Sequence, residues 1–185
     1  MGKRSKFDKL VCVDLEATCW MPRSSQPENE VSEIIEIGVC FLDLKTYKVS
    51  NKTSYIVKPR NSKISPFCTE LTTLTQEDVN RGMLFSDACN KMKKDFGTQN
   101  RIWASWGDYD KTAFEKNCKL YNVPCPFSIS HINAKNIFSI HHGISKGLGL
   151  QKALNYSGLE FVGTHHRGHD DAYNVARILG KMWRK

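Results

Sequence analysis

The run Leu10-Val11-Cys12-Val13, closed by Asp14-Leu15-Glu16, constrains this chain more than any other segment. Strand side chains alternate between faces, so a strand over residues 9–15 carries apolar groups on both and reads as buried. The same alternation points Asp14 and Glu16 one way and Leu15 the other. Two carboxylates at the end of an apolar strand repel each other and are costly to desolvate unless a cation joins them. Magnesium or manganese, hard ions that prefer oxygen ligands, fit that role. An Asp-x-Glu at a strand end is common, so the assignment depends on what the rest of the chain brings.

Periodicity predicts further strands over residues 32–44 and 53–57, with turn residues at Asp43-Leu44-Lys45-Thr46 closing a hairpin. Residues 20–29 hold two prolines and several polar residues and fit a mobile loop. Thr75 before Gln76-Glu77-Asp78 resembles a helix start. Phe85, Ala88, Cys89, Met92 and Phe96 recur at helical spacing. A fourth strand over 101–105, a helix over 111–121 and a short fifth strand over 130–133 follow. Helices are then predicted over 134–141, 148–156 and 168–183. Hairpins first, then strands alternating with helices, predict a five-stranded mixed sheet flanked by helices. At 185 residues this is one core and one domain, 1–185, with its motifs in 10–183.

Lys and Arg number 27 against 19 Asp and Glu, a net charge of +8, which favours a polyanionic partner because surface cations release counterions from phosphates. If several acids cluster around metal, the remaining surface is more basic still. No apolar stretch approaches the roughly 20 residues of a membrane span. Met1-Gly2-Lys3-Arg4-Ser5-Lys6 is basic but leads into no signal-peptide core, and Lys6 breaks the myristoylation pattern. The expected location is intracellular and cytoplasmic, and the expected state of all seven cysteines is reduced and structural, since no Cys-x-x-Cys pair exists.

Two more segments carry acids. In Ala104-Ser105-Trp106-Gly107-Asp108-Tyr109-Asp110, both Asp108 and Asp110 lie near a helix start, and strand alternation does not choose between them. His165-His166-Arg167-Gly168-His169-Asp170-Asp171 holds two overlapping His-x-x-x-x-Asp registers. At about 100° per residue, Ala172, Val175, Ala176, Leu179 and Met182 form one stripe facing the core. Asp171 falls at its edge and Asp170 on the opposite, solvent side, so the pair His166 and Asp171 is preferred. His141, His142, His165 and His169 read as surface or packing residues, and Trp103 and Trp106 as strand-packing residues.

Asp14-Leu15-Glu16, Tyr109-Asp110 and His166 to Asp171, in this order, resemble the three motifs of the DEDDh (DnaQ-like) 3′-5′ exonuclease family. Asp14-Leu15-Glu16-Ala17-Thr18-Cys19-Trp20, Glu33-Ile34-Ile35-Glu36-Ile37-Gly38, Phe67-Cys68 and Leu71-Thr72-Thr73-Leu74-Thr75 look like the histone-mRNA and small-RNA trimming exonucleases and their bacterial relatives. The resemblance implies a ribonuclease H-like fold and prefers Asp110 over Asp108. It implies two magnesium (or manganese) ions, with Asp14 bridging both, Glu16 and Asp171 completing one and Asp110 serving the other. His166 would be the general base. The backbone at Ala17 and Thr18 would meet the 3′-hydroxyl, and Phe67 and Tyr109 would sandwich the terminal base; the family commonly has Trp at the place of Tyr109. The implied reaction releases nucleoside 5′-monophosphates from the 3′ ends of single-stranded nucleic acid, RNA in preference to DNA. Larger members carry an extra nucleic-acid-binding domain, for which these 185 residues leave no room. Two other readings keep the fold: a non-catalytic RNA-binding module, whose sign would be a missing carboxylate or histidine, and a ribonuclease H-like endonuclease. Oligomeric state is left open.

Overall fold

The computed structural model describes residues 6–184; the basic stretch 1–5 lies outside the described residues. Strand β1 (Lys6–Ala17) lies in the middle of a five-stranded sheet of order β3-β2-β1-β4-β5. It pairs antiparallel with β2 (Ile34–Asp43), which pairs antiparallel with β3 (Val49–Ile56). On its other side it runs parallel to β4 (Arg101–Ser105), which is followed in parallel by β5 (His131–Asn133). The sheet is mixed and five-stranded, as the pattern of hairpins and helices implies.

The alternation of β1 sorts the helices. Val11, Val13 and Leu15 face a core built with α3 (Phe85–Phe96) and α4 (Tyr109–Tyr121). Leu10 and Cys12 face a second core with α5 (Ala134–His142), α6 (Leu150–Tyr156) and α7 (Gly168–Trp183). Each fully buried side chain such as Phe114 or Phe138 contributes roughly 1.5–3 kcal/mol by leaving water. By parity Asp14 and Glu16 lie on the α7 side. Two short helices, α1 (Pro66–Thr72) and α2 (Gln76–Asn80), close a smaller cluster around Ile35, Cys68, Leu74 and Val79. Ser65 caps α1 through the Cys68 N–H with Pro66 in the first turn, and Thr75 with Asp78 forms a capping box on α2.

Several boundaries differ from the periodicity. β1 extends from Lys6 to Ala17, which puts Glu16 inside the ladder. β3 begins at Val49 rather than 53, and α6 at Leu150 rather than 148. α4 begins at Tyr109, two residues before the apolar stripe indicates, because Asp108 rather than Asp110 occupies the cap position. Among the described residues no helix is long and apolar enough to cross a membrane.

Candidate active site

β1 and β4 run parallel, β1 continuing past the end of β4, and a cleft of about 320 Å³ opens at their carboxyl ends. Asp14, Glu16 and Ala17 of β1 form its floor, Tyr109 and Asp110 of α4 one wall, and His165, His166 and Asp171 the opposite wall.

The wall formed by α7 approaches the floor through two glycines. Asp14 stands opposite Gly38 in the β1–β2 ladder, and a Cβ on Gly38 would lie 1.8 Å from the Gly168 carbonyl carbon. A Cβ on Gly168 would lie 3.0 Å from the Asp14 carbonyl oxygen. Backbone therefore meets backbone where α7 begins. One carboxylate oxygen each from Asp14, Glu16 and Asp171 lie within 4.8 Å of one another.

The start of α7 is fastened by an acid from β2. Glu36, fully buried, accepts from Arg167 Nε at 3.0 Å, Gly168 N at 3.2 Å and Ser54 Oγ at 2.6 Å, and bonds His169 Nδ1 at 2.8 Å. Upstream, His166 takes a left-handed backbone at φ 63°, which costs an L-residue roughly 1–2 kcal/mol. Its N–H donates to Asp171 Oδ2 at 2.9 Å, which holds that turn closed over the carboxylate.

Asp110 sits in the first turn of α4, buried, with Oδ1 accepting from the Leu15 N–H at 3.0 Å. Asp108 is exposed and accepts from Asn133 Nδ2 at 2.7 Å. Asp110, and not Asp108, lines the cleft.

Crowding raises these acids. Burial pushes the Asp14 carboxyl well up, and Asp110, Asp171 and Glu16 add to it. Burial, then Asp171 and Glu36, lift Glu16 to about 9. Burial lifts Asp171 to about 7 against the His166 N–H, and lifts Asp110 to about 6 against the Leu15 N–H. Asp171 Oδ1 is buried and, among the described residues, without a hydrogen-bond partner. A divalent cation answers all of this: it removes the repulsion and gives the orphaned oxygen a partner. The donor set therefore fits magnesium or manganese. Asp171 also clusters with His165 and His166, whose rings stand 3.9 Å apart. Burial, and then His165, push the His166 imidazole below its ordinary value, which favours its neutral form.

One expectation needs correction. Asp170 is buried rather than solvent-facing: the preceding loop folds back so that the Thr164 N–H donates to Asp170 Oδ2, and Lys52 of β3 pairs with Oδ1. His169 bonds Glu36, while His165, exposed, and Trp106, packed against Phe138 with its indole N–H donated to the Leu148 carbonyl, also line the cleft. Thr18 is fully buried, with its N–H donated to the Glu33 carbonyl and its hydroxyl shared between Val31 and Glu33. Phe67 is half-buried on α1, and Leu71, one turn on, lines the cleft. Tyr109 stays 60% exposed at the rim, where a base can reach it.

The sheet order, the helices on both faces and a carboxylate cleft beyond β1 and β4 define a single α/β domain of the ribonuclease H-like exonuclease class. Residues 11–179 match the family model described as Exonuclease (RNase T), and the chain belongs to that family. It is 30% identical to 3′-5′ exoribonuclease 1 of Homo sapiens over 96% of this chain and 53% of that protein. It is 29% identical to 3′-5′ exonuclease Snipper of Drosophila melanogaster over 96% of this chain and 70% of that one. Among solved structures it is similar to the nuclease domain of 3′hExo, a DEDDh family member bound to rAMP, with TM-score 0.83, 30% identity, 97% of this chain and 94% of that one covered. The chain thus spans about half the length of the human relative and nearly all of the solved nuclease domain.

Proposed function

We propose that residues 1–185 act as one 3′-5′ exonuclease domain that removes nucleoside 5′-monophosphates from single-stranded 3′ ends, RNA in preference to DNA. The observation that carries this reading is the meeting of Asp14, Glu16 and Asp171 oxygens within 4.8 Å, with Asp171 Oδ1 left unpartnered. The rAMP in the related nuclease domain supports a ribonucleotide end.

Asp14, Glu16 and Asp171 would hold magnesium or manganese, with Asp110 serving a second ion. Bound there, such ions stabilise the charge on the attacking and leaving oxygens. His166, in its neutral form, takes a proton from the attacking water. The water oxygen bonds to phosphorus, and the bond to the 3′-oxygen of the penultimate nucleotide breaks. That oxygen is protonated to become the new 3′-hydroxyl, and the nucleoside 5′-monophosphate leaves. Tyr109 offers a ring face to the terminal base, a contact worth roughly 1–3 kcal/mol and tolerant of sequence. Phe67 would complete the sandwich from α1. Since the Thr18 N–H is already donated, contact with the 3′-hydroxyl falls to the backbone at Ala17. The setting is the cytoplasm, where seven free thiols stay reduced.

The test is digestion of 5′-labelled single-stranded RNA and DNA with magnesium, manganese or chelator. Stepwise shortening from a free 3′-hydroxyl, stopped by a 3′ block and by chelator, is expected. Cleavage of a 3′-blocked or circular strand would establish an endonuclease instead, and binding without any product a non-catalytic module.

A further inference from the structure

On the far side of α7 from Asp171 lies a groove of about 680 Å³ that the proposed reaction does not use. Its walls include Tyr47 and Lys48 from the turn joining β2 to β3, Tyr173, Arg177 and Lys181 from α7, and Arg184 just past its end. The groove exists because α7 crosses that turn at Gly180, where a Cβ would lie 3.0 Å from the Tyr47 carbonyl oxygen. On a helix, positions 173, 177 and 181 fall in one stripe, roughly 200–280° around from Asp171.

The cations on the α7 side of this groove are held by neutral groups. Arg177 donates to the Glu160 carbonyl at 2.6 Å and Asn174 Oδ1 at 2.8 Å, Lys181 to the Ser157 carbonyl, and Arg184 to the Tyr47 carbonyl at 3.2 Å. Among the described residues no carboxylate pairs with Lys48, Arg177, Lys181 or Arg184. Three positive charges are therefore fixed in place by carbonyls and an amide, and with exposed Lys48 all four are left uncompensated by carboxylates. The Tyr173 ring already has Lys52 at 5.1 Å and Arg177 at 6.0 Å from its centroid, so its faces are directed to cations rather than to bases.

We propose that this groove binds the sugar-phosphate backbone of the nucleic acid whose 3′ end lies in the cleft, upstream of the cut and without reading sequence. The proposal rests on the exonuclease reading for the identity of the strand. Arg177 and Lys181 lie about 9 and 15 Å along α7 from Asp171, on the opposite face of the helix. A dinucleotide in the cleft therefore does not reach the groove, whereas a strand of some twenty nucleotides does.

The experiment measures binding of a labelled 20-nucleotide single-stranded RNA by fluorescence anisotropy, in chelator and over a range of potassium chloride concentrations. Three proteins are compared: wild type, Lys48→Glu, and the triple variant Lys48→Gln/Arg177→Gln/Lys181→Gln. Hydrolysis of a dinucleotide is measured alongside with magnesium. The slope of log Kd against log salt should become shallower by about 0.7 for each cation removed, about two for the triple variant. Dinucleotide kcat/KM should stay at the wild-type value. Lys48 is exposed and makes no side-chain hydrogen bond among the described residues, so Lys48→Glu tests the groove even if the triple variant unfolds. Wild-type affinity and slope in Lys48→Glu would overturn the proposal. Binding with the expected slopes but no hydrolysis by the wild type would overturn the exonuclease reading and leave the groove standing.

Discussion

Glu16 and Glu36 face each other across the β1–β2 ladder, both buried, and their environments push them in opposite directions. Burial alone would raise Glu36, but His169, Arg167 and Ser54 outweigh it and hold the carboxyl at about 2. Glu16 has only burial and like-charged neighbours and rises to about 9. Directly opposed like charges destabilise a sheet, so this pair persists because one member is saturated by the protein's own donors. The other has no such donors, and in the proposed reading a cation from solution takes their place. A buried acid with its full set of partners is structural; one with none is waiting for a ligand.

The sharpest way to break this comparison is to neutralise the two kinds of acid separately. Asp14→Asn or Asp171→Asn should abolish magnesium-dependent mononucleotide release, a loss beyond the roughly 10²–10³-fold cost of a single electrostatic contact. Circular dichroism should show both variants folded; measurable release by either would remove the metal assignment. His166→Ala should lose roughly 10²–10⁴ in kcat, the usual contribution of a general base. His165→Ala should lose far less, and equal losses in single-turnover assays would reverse the choice of register.

Glu36→Gln should act on the fold first. Breaking a buried ion pair costs about 3 kcal/mol at the lower end, a fall in melting temperature of roughly 6–12 °C for a chain of this size. A thermal melt within 2 °C of the wild type, a difference too small for 1 kcal/mol, would show that Glu36 does not fasten α7.

What the sequence discloses about this pair is uneven. The fold follows from local periodicity: the apolar runs of β1 and β2 and the stripe of α7 name the sheet and its cover. The phase of Asp171 is legible for the same reason, because its neighbours Ala172 and Val175 define the buried face. Asp170 is not, because its burial comes from Thr164 and Lys52, remote or irregular in sequence. Glu36 appears only as an acid inside an apolar run; its donors come from positions 54 and 167–169, which no spacing rule joins to it. The preference for Asp110 over Asp108 rests on resemblance until the Leu15 N–H is seen to meet it. The close contact of Gly38 with Gly168 gives no sequence signal beyond two glycines.

The smallest predicted effect is a pH trend. Glu16 at about 9 and Asp171 at about 7 lie above their unfolded values, so in metal-free protein their stabilisation is complete below about pH 4 and lost as pH rises through 7 and 9. Glu36, held at about 2, contributes stability above about pH 4.3 that is lost as pH falls towards 2. Melting temperatures in chelator should therefore drift down from pH 6 to 9 in the wild type, much less so in Glu16→Gln, and slightly less in Glu36→Gln, which removes one of the charges that lift Glu16 and Asp171. A flat wild-type curve would remove the contrast.

The most direct test is calorimetric titration of manganese into the protein at pH 7 in two buffers of different ionisation enthalpy. The cleft acids are partly protonated there, so binding should release protons, and the apparent enthalpy should differ between buffers. Glu16→Gln and Asp171→Asn should weaken binding sharply, while Glu36→Gln should retain it. Equal manganese affinity in Glu16→Gln and wild type, with no proton release, would contradict the assignment of the unsaturated acids to metal.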